Sequence, residues 1–317
     1  MKITRIFIAT HRYDMRFTRI CVASIRYWYP EIPIYLIKDY INGDFDTREI
    51  ETIWNVKIFE TGRKNFGWGF SKLEPLFIKD RSRYLILDSD IVFVGRVLDY
   101  LDGVEGDFIV QLERQPDAEV RRLYFCLEEM RLWDPLFVYP HYTFNSGQIV
   151  ATGGFISRED FDELINWNTL PVSRKHPEVF TMGGDQGVLN YLLLKKAATN
   201  QLTISRVPFM KYYEQELDAV DLALLTAASP YPFLIHWAGR EKRRLRKMLR
   251  SDILLYFEAM YYARVPLGFL KKRTRIVADL VTRNWGLLKV RARKVWPMFS
   301  QLFGRTLAKT QPVKPVN

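Results

Sequence analysis

The amino-acid sequence predicts an α/β fold in which a mainly parallel sheet carries helices on its faces. Residues 3–10 form an apolar strand, residues 15–29 repeat apolar side chains at spacings of three and four, and residues 33–38 form a second strand. A strand, a helix and a strand in this order are typical of a parallel sheet. Because ligands bind beyond the carboxyl ends of such strands, the residues after each strand are the first candidates for a functional site.

Later segments continue the same pattern. Residues 84–87 form a short apolar strand, and we predict further strands at 55–59, 107–112 and 147–155. We predict helices at residues 71–79, 117–133 and 185–196, and at 158–168, which has acidic residues in its first turn.

Length and composition favour a folded protein with one large domain. The chain has 317 residues, of which 48% are hydrophobic and 26% charged, so it is long enough to bury a substantial core. Cys21 and Cys126 lie in no recognisable motif, which favours a reducing, cytoplasmic environment. The first apolar run is too short for a signal peptide, and residues 253–270 are too interrupted by charges and a proline to span a membrane.

Positive charge is concentrated at the end of the chain. Residues 240–317 carry 20 lysines and arginines against 4 aspartates and glutamates, whereas residues 1–239 carry 27 against 32. We therefore predict an α/β domain at residues 1–245, a basic amphipathic helical tail at 246–310 and a disordered end at 311–317. Such asymmetry indicates an anionic partner for the tail.

The tail mixes its basic residues with tryptophan, phenylalanine and leucine. A helix of this composition is typical of proteins that lie on an anionic membrane surface. A solvated helix packed against the domain is the alternative. No recognised nucleic-acid module accompanies the charge, so we expect no nucleic-acid partner.

Asp88 and Asp90, with Ser89 between them, are the strongest candidates for chemistry because they follow an apolar strand directly. Two carboxylates this close repel each other, which favours binding of a cation. Mg²⁺ and Mn²⁺ prefer carboxylate and phosphate oxygens, and such an ion neutralises a diphosphate leaving group. A polar turn after a strand is the simpler interpretation of an isolated Asp-x-Asp triplet. The second such triplet, Asp44-Phe45-Asp46, follows no strand and is assigned to a solvated loop.

His236 follows a short apolar run and precedes Gly239 and Lys242. A neutral imidazole supplies a further metal ligand, a glycine lets backbone approach a phosphate, and a lysine compensates its charge. A packed histidine before a basic helix is the alternative interpretation.

Amides and carboxylates also recur in two other segments. Asn145, Asp185 and Gln186 are suited to holding sugar hydroxyls, although turns and a helix N-cap at Asp185 would explain them equally. Lys72 lies in a predicted helix, from which its side chain reaches a phosphate or merely solvent.

The order of these segments resembles that of retaining GT-A glycosyltransferases of family 8, the glycogenin and bacterial lipopolysaccharide galactosyltransferase type. The resemblance covers residues 3–245, and no single motif carries it. The matching segments are Ile8-Ala9-Thr10, Ser71-Lys72-Leu73, Asp88-Ser89-Asp90, Phe144-Asn145-Ser146-Gly147, Asp185-Gln186-Gly187-Val188-Leu189-Asn190 and His236 to Lys242.

The resemblance implies a Rossmann-like GT-A fold and a UDP-sugar donor. It implies that Mn²⁺ or Mg²⁺ is bound by Asp88, Asp90 and His236. It implies that the nucleotide pocket is lined by Ala9, Thr10 and His11. It implies that the diphosphate or donor is contacted by Lys72, Ser89, Gly239 and Lys242, and that the transferred sugar is surrounded by Asn145, Asp185 and Gln186.

Two positions depart from the family pattern and keep alternatives open. Tyr142 stands where the family has an aspartate, and Arg243-Arg244 replace a Pro-Trp pair. An inverting transferase would need a carboxylate base near the acceptor hydroxyl, which Asp185 could supply. A sugar nucleotidyltransferase would need a glycine-rich loop after the first strand, and residues 9–14 contain no glycine. A non-enzymatic membrane scaffold would leave the polar segments unexplained.

The expected acceptor is a glycan or a lipid-linked molecule. The basic tail would place the protein beside such an acceptor at the cytoplasmic face of a membrane. Residues 111–143 are predicted to shape the acceptor site.

Overall fold

The computed structural model describes residues 1–67, 69–213, 217–225, 231–239 and 245–278. The chain divides into two compact units, Met1–Tyr261 and Tyr262–Asn317. The first unit runs past residue 245, where the sequence placed the end of the α/β domain. Lys242, residues 279–310 of the predicted tail and the predicted disordered end at 311–317 lie outside the described residues.

The described part of the first unit contains twelve strands. They are β1 (Ile3–His11), β2 (Ile34–Asp39), β3 (Val56–Ile58), β4 (Arg83–Asp88), β5 (Ile91–Phe93), β6 (Phe108–Gln111), β7 (Gln148–Thr152), β8 (Ile165–Asn166), β9 (Ser173–Arg174), β10 (Ile204–Val207), β11 (Met210–Tyr212) and β12 (Leu234–His236).

Seven of these strands form the main sheet, in the order β10-β6-β7-β4-β1-β2-β3. Strand β7 runs antiparallel to both neighbours, and every other neighbouring pair is parallel. Strands β11, β12 and β5 form a second sheet, and β8 pairs with β9. The predicted α/β fold with a mainly parallel sheet is confirmed.

Helices flank the sheet. Those in the described residues are α1 (Met15–Trp28), α2 (Arg48–Trp54), α3 (Val97–Asp102), α4 (Asp117–Leu123), α5 (Leu127–Trp133), α6 (Asp185–Ala198) and α7 (Ser251–Arg264). In the second unit, residues 268–278 are helical. None of the helices described here is long and apolar enough to cross a bilayer.

The centre of the sheet is buried because its strands are apolar along their length. Ile6, Phe7 and Ile8 of β1 and Leu85 and Leu87 of β4 are all buried. Strands without alternation of polar and apolar residues are covered on both faces, as in other parallel sheets. Polar residues lie towards the two ends of these strands, and at the carboxyl edge of the sheet they are Thr10, His11 and Asp88.

The helix predicted at residues 158–168 is wrong. Only Glu159–Phe161 forms a single 3₁₀ turn, and strand β8 then pairs antiparallel with β9. Phe161 and Leu164 are both buried in the core. Their burial is achieved by packing of an irregular segment rather than by a helix.

The helix predicted at residues 117–133 is two helices, α4 and α5. Between them, the carbonyl of Tyr124 accepts a hydrogen bond from the Thr181 amide at 3.2 Å. The Cys126 amide donates to the carbonyl of Val179 at 2.8 Å. These bonds to a distant segment replace the intrahelical ones, so the helix breaks there. Both Cys126 and Cys21 are free and buried.

The helix predicted at residues 71–79 is a 3₁₀ helix over Phe70–Phe77. Pro75 lies inside it and has no amide hydrogen to donate, which disfavours a regular α-helix. The first turn of this helix buries Ser71 and Lys72. Lys72 therefore belongs to the interior of the protein rather than to an exposed helical face.

Helix α7 contributes most of its length to the first unit, which ends at Tyr261. Arg16 Nε lies 2.6 Å from the carboxylate of Glu258, which is buried. The ring of Tyr261 stacks on Trp54 with centroids 5.2 Å apart. Because a buried ion pair is costly to break, these contacts fix the helix to the flank of the sheet.

Candidate active site

The site forms where β4 ends. Asp88 is the last residue of β4, and Ser89 and Asp90 make the turn into β5. Strand β5 pairs antiparallel with β12, and the Trp237 amide donates to the carbonyl of Asp90 at 3.0 Å. This pairing brings His236, the last residue of β12, beside the two aspartates.

Asp88, Asp90 and His236 offer three ligand atoms within 4.8 Å of one another. His236 Nε2 lies 3.2 Å from Asp90 Oδ1 and 3.9 Å from Asp88 Oδ2. Asp90 and His236 are buried, whereas the side chain of Asp88 is 32% exposed and leaves one side of the group open. Two carboxylates and an imidazole form a donor set suited to Mn²⁺ or Mg²⁺. The residues present therefore fit a divalent cation.

Gly147 leaves the space that these ligands need. A Cβ atom at this position would lie 2.5 Å from His236 Cε1 and 2.8 Å from Asp88 Oδ2. The Gly147 carbonyl accepts a hydrogen bond from the Asp88 amide at 2.7 Å, and its own amide donates to Asn145 Oδ1 at 2.7 Å. Since no side chain fits at such distances, the group requires glycine here.

Lys72 supplies a buried positive charge next to the same aspartates. Its Nζ lies 3.0 Å from Asp88 Oδ1 and 3.4 Å from Asp185 Oδ2, and it also donates to the Ser146 hydroxyl at 3.2 Å. Burial lowers the pKa of Lys72, but the carboxylates of Asp185 and Asp88 outweigh this effect and raise it above the usual range. The ammonium is therefore fixed in position and charged.

Asp185 is the first residue of α6, and Gly184 occupies the cap position before it. The helix-cap interpretation of Asp185 is therefore wrong. Gly69 has a φ of +87°, and a Cβ atom there would collide with the Asp185 carboxylate. Only a glycine tolerates both the backbone angle and the close approach.

Helix α6 also holds the loop that contains Asn145. Asn190 accepts from the Phe144 amide at 2.9 Å and donates to the Phe144 carbonyl at 2.8 Å. Gln186 Oε1 accepts from the Ser146 amide at 3.3 Å. The structure therefore brings Asn145, Asp185 and Gln186 together. The side-chain oxygen of Gln186 is bonded to the loop at Ser146.

The side chains at the end of β1 bond to neighbouring residues of the chain. The hydroxyl of Thr10 lies 2.5 Å from the hydroxyl of Thr18, and both residues are buried. His11 Nε2 lies 2.8 Å from a carboxylate oxygen of Asp14. Both side chains are thus bonded within the protein, and whether they line a nucleotide pocket stays a prediction.

The other predicted site residues occupy varied positions. Ala9 lies in register with Asp88 on the neighbouring strand, and Ser89 is buried in the turn. Gly239 has a φ of +138° and open space where a side chain would be. Lys242 lies outside the described residues.

Tyr142 stands where the resemblance called for an aspartate. The guanidinium of Arg206 lies 3.9 Å from the centroid of the Tyr142 ring. A cation over an aromatic face is attracted by the ring quadrupole. Position 142 therefore carries an aromatic ring in a cation–π contact with Arg206 instead of a carboxylate.

Two residues beside the site were not singled out from the sequence, although Glu113 belongs to the segment 111–143 that is predicted to shape the acceptor site. Tyr212 donates its hydroxyl hydrogen to Glu113 Oε1 at 2.9 Å, and its ring stacks on that of His236. Glu113 comes two residues after β6 ends. Inspection of the residues after the predicted strand at 107–112 would have found Glu113, whereas no sequence signal marks Tyr212.

No protein-family profile and no curated protein sequence matches the chain. Several solved structures are similar to it. The bifunctional glycosyltransferase WbbM is similar with a TM-score of 0.53 and 14% identity, over 88% of this chain and 52% of the WbbM chain. An active-site mutant of LgtC is similar with a TM-score of 0.50 and 12% identity, over 80% of this chain and 95% of the LgtC chain.

This chain spans about half the length of the WbbM chain and nearly all of the LgtC chain. At these identities the similarity establishes the fold. The chain therefore has the α/β fold of these proteins, with the candidate metal group at the carboxyl edge of its sheet.

Proposed function

We propose that the chain is a metal-dependent glycosyltransferase that moves a sugar from a nucleotide-sugar donor to an acceptor. The observation that carries this proposal is the grouping of Asp88, Asp90 and His236 beside the fixed ammonium of Lys72. The fold shared with a known glycosyltransferase supports it.

Asp88, Asp90 and His236 would hold Mn²⁺ or Mg²⁺, and an ion held there would neutralise the charge that develops on a departing diphosphate. Lys72 adds a second positive charge at the same edge of the sheet. Asp185 and Ser146 hold this ammonium in place, so it does not have to reorganise when the bond breaks. The partly exposed side chain of Asp88 marks the open side from which a donor enters.

We further propose that the donor is a UDP-sugar and that its anomeric configuration is retained, as in the family 8 enzymes that the sequence resembles. An inverting enzyme needs a carboxylate that is free to take a proton from the acceptor hydroxyl. Asp185 is buried and pairs with Lys72 at 3.4 Å, so it is poorly suited to that role. Asn145, Asp185 and Gln186 would instead surround the transferred sugar.

A sugar nucleotidyltransferase and a non-enzymatic scaffold are weaker candidates. The segment after β1 has no glycine and bonds its own side chains together, so it forms no phosphate-binding loop of the expected kind. A scaffold has no need for two mutually repelling carboxylates and an imidazole in one group.

The second unit supports a further proposal, contact with an anionic membrane at its cytoplasmic face. Leu267, Phe269 and Leu270 are exposed, and Lys271 and Lys272 follow directly. Exposed apolar side chains next to basic ones are typical of helices that lie on membrane surfaces. Such contact would bring a glycan or lipid-linked acceptor to the enzyme.

A screen of UDP-sugars with and without Mn²⁺ tests the proposed function. We expect Mn²⁺-dependent hydrolysis of one UDP-sugar, its loss in Asp90→Ala, and release of the anomer that the donor contained, read by NMR. Hydrolysis that persists in EDTA, or an Asp90→Ala variant as active as the wild type, would contradict metal dependence. Release of the opposite anomer would show inversion.

A further inference from the structure

A line of contacting side chains leads from the end of β6 to His236. Gln115 Nε2 donates to Glu113 Oε2 at 2.7 Å, and the Tyr212 hydroxyl donates to Glu113 Oε1 at 2.9 Å. Tyr212 is in register with His236 on the neighbouring strand. The two rings are 26° from parallel, with centroids 6.0 Å apart. The line therefore ends on the face of the imidazole.

The two ring nitrogens of His236 have different surroundings. Its Nε2 faces the aspartates, and its Nδ1 is buried without a hydrogen-bond partner among the described residues. A histidine that binds a metal is usually oriented by a hydrogen bond from its second ring nitrogen. Here, the ring of Tyr212 stacks on the imidazole, and the backbone at Gly147 lies close to its Cε1 atom.

Glu113 is itself held firmly. Burial raises its pKa, while hydrogen bonds from Tyr212, Gln115 and the Asn145 amide favour its charged form. Its backbone carbonyl accepts from Arg206 at 2.8 Å. A carboxylate fixed at this many points is a rigid anchor for the Tyr212 hydroxyl.

We infer that Glu113 and Tyr212 are positioning residues that set the imidazole plane of His236 for metal binding. This inference rests on the proposed function, because it requires that His236 binds a divalent cation. Glu113 holds the Tyr212 hydroxyl, and the Tyr212 ring in turn limits rotation of the imidazole. Neither residue touches the metal or the substrate in this account.

Mn²⁺ affinity of the full-length protein in the presence of UDP, measured from the electron paramagnetic resonance signal of free Mn²⁺, tests the inference. Tyr212→Phe keeps the ring and loses the hydroxyl, and we expect it to bind Mn²⁺ about 10- to 100-fold more weakly. Tyr231→Phe is the matched control, because the Tyr231 hydroxyl bonds to the Ala219 carbonyl elsewhere. It should bind Mn²⁺ as the wild type does.

Variants of Glu113 separate positioning from a direct effect of charge. Glu113→Gln keeps an oxygen that accepts the hydrogen bond from Tyr212, so it should retain most of the Mn²⁺ affinity. Glu113→Ala should lose as much Mn²⁺ affinity as Tyr212→Phe does. The double variant that combines Glu113→Ala with Tyr212→Phe should bind Mn²⁺ no more weakly than either single variant does, because both changes act through one line of contacts. At saturating Mn²⁺, kcat of these variants should return towards the wild-type value.

Each outcome has a distinct meaning. Wild-type Mn²⁺ affinity in a folded Tyr212→Phe protein would overturn the inference and leave the proposed function intact. A Glu113→Gln variant that binds Mn²⁺ as weakly as Glu113→Ala would also overturn the inference, since the charge of Glu113 rather than its hydrogen bond would then determine the affinity. Absence of Mn²⁺ binding in the wild type would instead refute the proposed function. If Tyr212→Phe does not fold, the Glu113→Ala and Glu113→Gln pair gives the same comparison.

Discussion

Lys72 Nζ lies 3.0 Å from Asp88 Oδ1, so a buried lysine faces the same carboxylate that the candidate metal group contains. The ammonium also faces Asp185 on the other side. Without this cation, two carboxylates would share a poorly solvated region. Lys72 therefore stabilises the site in addition to its role in the proposed chemistry.

Replacing Lys72 should therefore destabilise the protein. We expect Lys72→Met to lower the free energy of unfolding by on the order of 3 kcal/mol, because it leaves buried carboxylates uncompensated. Lys72→Arg keeps the charge and should lose less. Denaturant unfolding at pH 7 measures the difference, with Lys57→Met on the exposed face of β3 as control. A Lys72→Met protein as stable as the control would show that the ion pair contributes nothing.

Adding one methyl group at Gly147 should weaken metal binding. A Cβ atom there would lie 2.5 Å from His236 Cε1, so the imidazole or the loop must move. We expect Gly147→Ala to bind Mn²⁺ at least about 10-fold more weakly than the wild type, as for other changes that displace a metal ligand. Gly62→Ala is the control, because no atom lies within 4 Å of its added carbon. Equal Mn²⁺ affinity in both variants would mean that the ligands are not arranged as described.

Asn190 should be needed to hold the loop before Gly147. Asn190→Leu leaves the buried amide and carbonyl of Phe144 without their partner, and each unpaired group costs about 1–3 kcal/mol. Asn190→Asp keeps the acceptor for the Phe144 amide but turns an oxygen towards the carbonyls of Phe144 and Gln186, so it should destabilise the protein as well. Unfolding curves of both variants against the wild type measure the loss. A variant as stable as the wild type would contradict the assigned bonds.

The pair of Asp134 and Lys195 should give stability that depends on pH. Burial raises the pKa of Asp134, but hydrogen bonds from Lys195 and Tyr191 outweigh it and lower the pKa below its usual value. Stability from this pair is therefore present above the usual carboxyl pKa of about 4 and is lost as pH falls through the lowered pKa.

Lys195→Met isolates this contribution. Lys195 is partly exposed, so its removal should cost no more than about 1 kcal/mol at pH 7. The difference from the wild type should shrink as the pH is lowered from 7 through the lowered pKa of Asp134, because the pair is lost when Asp134 takes up a proton. A difference that stays constant over the whole acid range would show that the ion pair is not its cause.

Neutralising the basic residues of the second unit should weaken membrane contact. Each lysine or arginine near an anionic surface contributes about 1 kcal/mol, so changing Lys271, Lys272 and Arg273 to glutamine should weaken binding to phosphatidylserine vesicles by about 100-fold. Sedimentation with vesicles measures binding, and neutral phosphatidylcholine vesicles serve as control. Unchanged sedimentation with the anionic vesicles would exclude these residues from the contact.

The sequence revealed those parts of the fold and site that depend on local pattern. The apolar runs of β1 and β4 and the aspartates that follow β4 could be read directly, because their burial and position depend on neighbours in the chain. The approach of His236 to Asp90 depends on the pairing of β12 with β5, which the sequence does not show. There, only the order of motifs pointed to His236.

Other features were beyond prediction for the same physical reason. The break after α4 and the irregular path of residues 158–164 arise from packing between distant segments. Thr10 and His11 carry the expected residue types, yet their side chains bond to Thr18 and Asp14. Tyr212 reaches His236 only through the second sheet, so no spacing in the sequence could mark it.

Calorimetric titration of UDP, with and without Mn²⁺, decides whether Asp88, Asp90 and His236 hold a metal for a nucleotide. Asp46→Ala is the matched control for Asp90→Ala, because Asp46 belongs to the other Asp-x-Asp triplet and pairs with Arg48 at the surface. We expect UDP binding that requires Mn²⁺, survives in Asp46→Ala and is lost in Asp90→Ala. Equal UDP binding with and without Mn²⁺, or unchanged binding in Asp90→Ala, would refute the proposed metal site.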